Sequence, residues 1–472
     1  MRILIAPDKF AGTLTAVEAA AAIEEGWRRR DPEAEVLVAP MADGGPGFID
    51  VLSAVVDGKL LSVTVRGPLG VDTPATILLA GETAYLETAQ ACGLHLVEPK
   101  ERRPEEASTY GVGQLIAAAV DAGAKRIILG LGGSGTNDAG AGLLAALGAT
   151  AATDSAIDSA IDSAIDSAID SAIDSAIDSA IDSAIDSAID SAIDSAIDSA
   201  IDSAIDSAID SAIDPAIDSA IDPAIDPATA GAGGTAAHGQ ASAGTGSGSS
   251  RSPGAAAGGQ VARLDGGAAG LAGLGAVDLQ PARDRVAGIE FVAASDVENP
   301  MLGLRGATNV FGSQKGIPDE RKPEVDGWLT RFAELAGRKT ADQKGAGAAG
   351  GLGYALLLLG AERVSGIDLV AELTGLKQKA AQVDLVLSGE GAFDFQSRDG
   401  KVIAGVAKVA NDAMRPCVVL AGKVLIGSRE MRSMGVESAY ALVDAVGEEQ
   451  AFADPHGSLA VVAERVAKTW AR

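Results

Sequence analysis

The chain opens Met1-Arg2-Ile3-Leu4-Ile5-Ala6-Pro7-Asp8-Lys9, and Thr15-Ala16-Val17-Glu18 follows shortly after. Ile3–Ala6 reads as a short buried strand that stops at Pro7, whose ring removes a backbone donor. Thr15 and Glu18 have the spacing of a capping box, which starts an alanine-rich helix running to about Arg29. Glu35–Ala39 is a second short apolar strand. Strand, helix and strand in this order form a βαβ unit, which implies a parallel sheet covered by helices on both faces.

The same alternation recurs downstream. Lys125–Leu129 and Ile289–Ala293 read as strands, Thr136–Leu147 and Ala346–Leu359 as helices entered through glycine. Near the other end Val383–Leu387 is a buried strand, Lys401–Asn411 a helix and Cys417–Leu420 another strand. The predicted class is α/β. In such folds the loops at the carboxyl ends of the strands carry the ligand.

Composition narrows the function. The 472 residues have a net charge of −28, but from Asp154 to Asp226 an aspartate recurs at every fourth position, 19 in all. Setting those 19 aside leaves −9, an ordinary acidic chain with no basic footprint for nucleic acid or an anionic membrane. Cys92 and Cys417 are too few for a disulfide framework, and with three histidines a His/Cys zinc site is not expected. No apolar run approaches the ~20 residues of a membrane span, and the apolar start is too short for a signal peptide. A cytoplasmic protein is the expectation.

The aspartates belong to an Ile-Asp-Ser-Ala repeat from about Thr153 to about Ala228. On a helix, four residues advance about 400°, so isoleucine drifts ~40° per repeat and forms no fixed stripe. Aspartates at i,i+4 oppose a helix by a few tenths of a kcal/mol per pair. On a strand, Ile and Ser would share one face, Asp and Ala the other. A loosely structured insertion is expected, with a regular helix or a repeat-based binding surface as alternatives. The Gly/Ala/Ser tract that follows, to about Gln260, reads as a flexible linker.

Five strand ends carry polar residues beside glycine. Asp8-Lys9 closes the first strand, and Asp43-Gly44-Gly45-Pro46-Gly47 follows the second. Asp43 there is a metal ligand or hydroxyl acceptor, or else a turn residue bonding its own backbone. Gly130-Leu131-Gly132-Gly133-Ser134-Gly135 fits a dinucleotide-binding pattern, which is weak evidence in a chain with 59 glycines. Thr136-Asn137-Asp138 comes next, at the expected start of a helix, where backbone N–H groups bind anions; the competing reading is a simple helix cap. Ser295-Asp296 follows a strand, and Lys315 sits between glycines at Gly312 and Gly316, suited to a phosphate or to a solvated turn. Ser388-Gly389-Glu390-Gly391, Asp394, Gln396 and Lys401 complete the set. Carboxylates for Mg²⁺, lysines for phosphates and an aspartate near an acceptor hydroxyl fit phosphoryl transfer. There is no G-x-x-x-x-G-K-[ST] loop, and no histidine in these loops to support a Ser-His-Asp hydrolase.

In this order the motifs resemble those of the bacterial glycerate kinase family. The resemblance rests on Ile5–Asp8 with Leu14-Thr15-Ala16, Ala42–Gly45, Gly67–Gly70, Gly130–Asp138, Asp296–Pro300, Phe311–Gly316, Gly345–Gly351, Ser388–Gly391, Asp394–Ser397 and Gly400-Lys401. It implies a Rossmann-like parallel-sheet domain formed by both chain ends (1–65 plus 375–472). A second α/β domain (66–374) would be inserted between them and would contain the low-complexity segment 153–260. It also implies ATP and Mg²⁺ as cofactors and D-glycerate as substrate, giving 2-phosphoglycerate ahead of 3-phosphoglycerate, with a monomer and a homodimer both open. On this reading Asp43, Asp296 and Asp394 form the acidic catalytic set, Asp43 and Asp296 being the metal candidates. Lys9 and Lys315 supply positive charge, while Asp8, Ser134, Thr136, Asn137, Asp138, Glu390, Gln396 and Lys401 bind the nucleotide or position the substrate. Pro46 and Ala392 stand where many members carry Glu and Arg. Two alternatives are an NAD(P)-dependent oxidoreductase using Gly130–Gly135 and a non-catalytic binding arm formed by the acidic repeat.

Overall fold

The computed structural model describes residues 1–10, 12–184, 203, 263–398 and 401–471. The first sheet draws on both chain ends. It contains β1 (Arg2–Ile5) and β2 (Glu35–Val38). The second sheet starts with β3 (Lys59–Arg66), β4 (Asp72–Ala80), β5 (Thr83–Glu87) and β6 (Arg126–Gly130). A two-stranded ribbon pairs β7 (Thr150–Thr153) with β8 (Leu274–Asp278). The chain then adds β9 (Glu290–Ala294) and β10 (Glu362–Val364) to the second sheet. It completes the first with β11 (Leu385–Phe393), β12 (Cys417–Val424) and β13 (Ser438–Ala441).

The first sheet has the order β13-β12-β11-β1-β2, and every pairing is parallel. Its central strands carry continuous buried apolar runs, Ile3–Ile5, Leu385–Leu387 and Cys417–Ala421, because both of their faces are covered. Ile3 and Ile5 pack with Trp27 and Val466 on one side, while Leu4 packs with Ile403, Val406 and Val419 on the other. Helix Ala16–Arg30 begins with both bonds of the Thr15–Glu18 capping box in place. Glycine at position 26 lets it touch helix Pro455–Trp470: a Cβ there would lie 2.0 Å from the Ala460 carbonyl oxygen.

Topology decides where a ligand enters. From β1 the chain moves to β2 on one side, whereas β11 flanks β1 on the other and leads away through β12 to β13. Loops leaving β1 and β11 therefore diverge, and a crevice opens at their carboxyl ends. The second sheet, β10-β9-β6-β5-β4-β3, is parallel from β10 to β5 and antiparallel beyond.

The chain forms two compact units: Met1–Gly148, Asp265–Ala269 and Gln280–Arg472 in one, Ala149–Leu264 and Gly270–Leu279 in the other. Both large sheets lie in the first. In the second, Asp154–Ala184 is one continuous helix, not the loosely structured insertion expected from the repeat. Alanine at every fourth position and the lack of any proline or glycine in this stretch favour it, and the aspartate repulsion per pair is small by comparison. The remaining repeats and the Gly/Ala/Ser tract fall outside the described residues, apart from residue 203.

Three expected elements change. The helix predicted over Thr136–Leu147 is only Ala141–Ala146, because Ala139 and Gly140 have φ of 56° and 71°. The one predicted over Ala346–Leu359 is helical from Leu352 to Leu358, after a turn with positive φ at Ala349, Gly350 and Gly351. The expected strand Val383–Leu387 starts at Leu385 and runs on to Phe393, so Ser388–Phe393 is strand rather than loop. Among the described residues no helix is long and apolar enough to cross a membrane.

Candidate active site

A cavity of about 540 Å³ opens at the carboxyl edge of the first sheet. Asp8 and Lys9 reach it from the end of β1, Asp43 from beyond β2, Glu390 and Asp394 from β11 and just after it, and Lys401 from the start of helix Val402–Asp412. Its other wall is apolar, with Phe10, Leu442, Val443, Ala451, Phe452 and Pro455. Lys423 of β12 also borders it.

Backbone bonding fixes the polar end. The Asp8 N–H donates to the Gly389 carbonyl at 2.8 Å, which ties the β1 loop to β11. The Lys9 N–H donates to Asp8 Oδ1 at 2.7 Å. Lys9 Nζ lies 3.7 Å from Asp8 Oδ1 and 3.9 Å from Asp43 Oδ1, so one ammonium is shared by two carboxylates. Burial pulls the Lys9 ammonium down, but Asp8, Asp43 and Glu87 outweigh it and hold the pKa above its ordinary value. Burial pushes Asp8 up to about 6, against the opposing pull of Lys9.

Asp43 does bond its own loop, accepting from the Gly45 N–H at 2.9 Å, and it still borders the cavity. Gly44 next to it has φ +87°, and a Cβ there would stand 2.8 Å from the Ala294 carbonyl oxygen at the end of β9. The Asp43–Gly47 loop thus lies against the carboxyl end of the second sheet. Asp296 sits at that end. Its carboxylate accepts from Ser365 Oγ at 2.6 Å and from the Ile367 N–H at 3.2 Å. Burial raises its pKa, partly offset by these two donors. A Cβ on Gly366 would meet the Asp43 carbonyl oxygen at 2.5 Å and Asp296 Oδ2 at 3.3 Å, so the two aspartates flank one glycine. Among the described residues no three His, Cys, Asp or Glu groups gather into a metal cage. Mg²⁺ at a nucleotide site needs only one or two carboxylates alongside phosphate and water oxygens, and the pair Asp43 and Asp296 fits that donor chemistry.

Across the cavity the Ser397 hydroxyl donates to Glu390 Oε1, and the Asp394 N–H donates to Ser397 Oγ at 3.2 Å. Burial pushes Glu390 up to about 7, with Ser397 and Lys401 opposing. Gln396 lies in the single turn Phe395–Arg398, and its side chain falls outside the described residues.

Other expected site residues are elsewhere. Ser134, Thr136, Asn137 and Asp138 are buried after β6 and do not line the cavity. Because Ala139 and Gly140 interrupt the chain, they form no helix N-terminus, and Gly130–Gly135 makes no dinucleotide cradle of the strand-to-helix kind. Asn137 Nδ2 donates to Thr308 Oγ1 at 2.9 Å. Lys315 ends helix Ala307–Lys315, fully enclosed, and its Nζ donates to the Thr136 carbonyl at 2.6 Å. Burial pushes its pKa down to about 8. It is buried rather than the exposed point charge that its glycine neighbours suggest.

Glu87 is the main residue that sequence reasoning missed. It ends β5, is buried, and its Oε2 accepts from the N–H groups of Gly47 and Ile49 at 3.1 and 3.2 Å. It therefore anchors the far end of the Asp43 loop. The signal was a carboxylate at a strand end, but no glycine follows it. Burial pushes Glu87 up to about 7, with the two N–H groups opposing. Because the folded value lies above the unfolded one, the native state retains a proton that the unfolded chain has released. Its stabilising contribution is present below about pH 4.5 and is lost as pH rises to about 7. The unfolding free energy from urea titration should fall across that window, and Glu87→Gln should flatten the fall by an amount on the order of 3 kcal/mol. An unchanged slope in the variant would remove Glu87 from the linkage.

Comparison with known proteins supplies the remaining finding. A model of the glycerate kinase family matches residues 3–194 and 213–471. The glycerate kinase of Bacillus subtilis is 32% identical over 96% of this chain and 93% of its own length. The glycerate 2-kinase of Escherichia coli is 29% identical over 100% and 98%. A crystal structure assigned to glycerate kinase 2 of Salmonella typhimurium LT2 superposes with a TM-score of 0.65 at 29% identity, covering 99% of this chain and 98% of that one.

Proposed function

The chain belongs to the glycerate kinase family, and on that premise we propose how it acts: it transfers the γ-phosphoryl group of ATP to the 2-hydroxyl of D-glycerate, giving 2-phosphoglycerate. The observation that carries this reading is the Lys9 ammonium held between Asp8 and Asp43 at the rim of a cavity on the topological switch point. Phosphoryl transfer demands positioning and charge neutralisation more than covalent chemistry. Lys9 provides a fixed positive charge for the transferring oxygens, and its two carboxylate neighbours keep it protonated and aimed. Asp43 and Asp296 would hold Mg²⁺, which supplies neutralisation of the β- and γ-phosphate charge when bound. Asp394 accepts the proton of the attacking hydroxyl. Lys401 offers a second positive charge on the cavity wall, for the substrate carboxylate. A cytoplasmic location belongs to the same proposal.

The test is to incubate the protein with ATP, MgCl₂ and D-glycerate, follow ADP release by a coupled assay, and identify the product by phosphorus NMR. ADP release that depends on D-glycerate, with a 2-phosphoglycerate resonance, is expected. ADP release with a 3-phosphoglycerate resonance would overturn the regiochemistry. Absence of glycerate-dependent ADP release would overturn the kinase reading.

A further inference from the structure

The reaction proposed above uses only the polar half of the cavity. The other half is built by two short helices, Leu442–Val446 and Glu448–Ala453, joined at Gly447. Leu442 and Ala451 are buried beneath it, whereas Phe452 lines the cavity with 62% of its surface exposed. Its ring offers the charged crevice a large aromatic surface. Lys423 stands between the halves, its Nζ paired with Glu448.

D-glycerate does not match this wall: it is a three-carbon acid with a carboxylate and two hydroxyls, and a triphosphate is entirely polar. The one flat, weakly polar surface that either substrate brings is the purine base. We propose that Phe452, with Leu442 and Val443, forms the nucleobase subsite, and that Lys423 lies along the polyphosphate between base and transferring group. The proposal rests on the kinase reading and deepens it by orienting the nucleotide: base toward the 442–455 segment, γ-phosphate toward Lys9.

The experiment compares wild type, Phe452→Ala and Phe452→Tyr by isothermal titration with ADP and, separately, with inorganic tripolyphosphate, alongside KM for ATP. Stacking on one aromatic face accounts for about five- to tenfold in affinity at a half-open site. F452A should therefore weaken ADP and raise KM for ATP by about that factor, leave tripolyphosphate binding at the wild-type value, and be largely rescued in F452Y. Val443→Gln, on the same wall, should act in the same direction. Loss of ADP and tripolyphosphate affinity in equal measure would overturn the base assignment, and so would ADP binding that is indifferent to position 452. A wild-type protein that phosphorylates glycerate while F452A binds ADP normally refutes this subsite alone. A wild-type protein that neither binds ADP nor phosphorylates glycerate refutes the kinase reading beneath it.

Discussion

Asp394→Asn should lower kcat for D-glycerate phosphorylation about 10²- to 10⁴-fold, the range for losing a positioned proton acceptor. The substitution keeps shape and removes the basic oxygen. Asp394 stands at the end of β11 in a turn pinned by Ser397, whose hydroxyl is in turn bonded to Glu390. The local backbone therefore has little reason to move when only the charge changes. Asp43→Asn separates the roles. If Asp43 holds Mg²⁺, that variant needs more MgCl₂ to reach half its maximal rate, whereas D394N keeps the wild-type requirement. Wild-type kcat in D394N would end its assignment as proton acceptor, and identical magnesium titrations in D43N would end the metal assignment.

The first strand, its capped helix and the second strand were legible because each rests on a local rule: a buried apolar run, a capping box and a proline stop. Asp8, Lys9, Asp43, Glu390, Asp394 and Lys401 could be grouped from sequence because parallel sheets present their strand ends on one edge, and all six line one cavity. What sequence misjudged depends on distant packing. Nothing local says that Ala139 and Gly140 will adopt positive φ, so Thr136–Asp138 looked like a helix start. A Cβ on Gly140 would lie 2.4 Å from that of Ala355, a contact across more than 200 residues. Lys315 looked solvated because glycine flanks it, while its burial depends on the Thr136 carbonyl reaching it from another loop. Phe452 carries no motif at all, and only the fold brings it into the same cavity as Lys423 and Lys9.

The second large effect concerns stability. Asp138→Ala should destabilise the protein by at least about 3 kcal/mol and leave KM for ATP in the surviving folded fraction unchanged. Asp138 is fully buried. Its Oδ2 accepts from the Thr109 N–H and hydroxyl, both at 2.8 Å, and from the Gly142 N–H at 3.2 Å, and its Oδ1 accepts from the Gly140 N–H at 3.1 Å. Burial still raises its pKa despite these four donors. Thr109 Oγ1 also accepts from the Leu143 N–H at 3.0 Å, so the carboxylate holds together the turn at Thr109 and helix Ala141–Ala146. Truncation leaves several dry N–H groups without an acceptor, each costing about 1–3 kcal/mol. Asparagine does not repair this, because one of its two terminal atoms is a donor facing donors. Urea unfolding of D138A and D138N, with KM measured at a temperature where both remain folded, decides the matter. Wild-type stability combined with a raised KM for ATP would return Asp138 to the nucleotide site, where its position after the glycine loop first suggested it belonged.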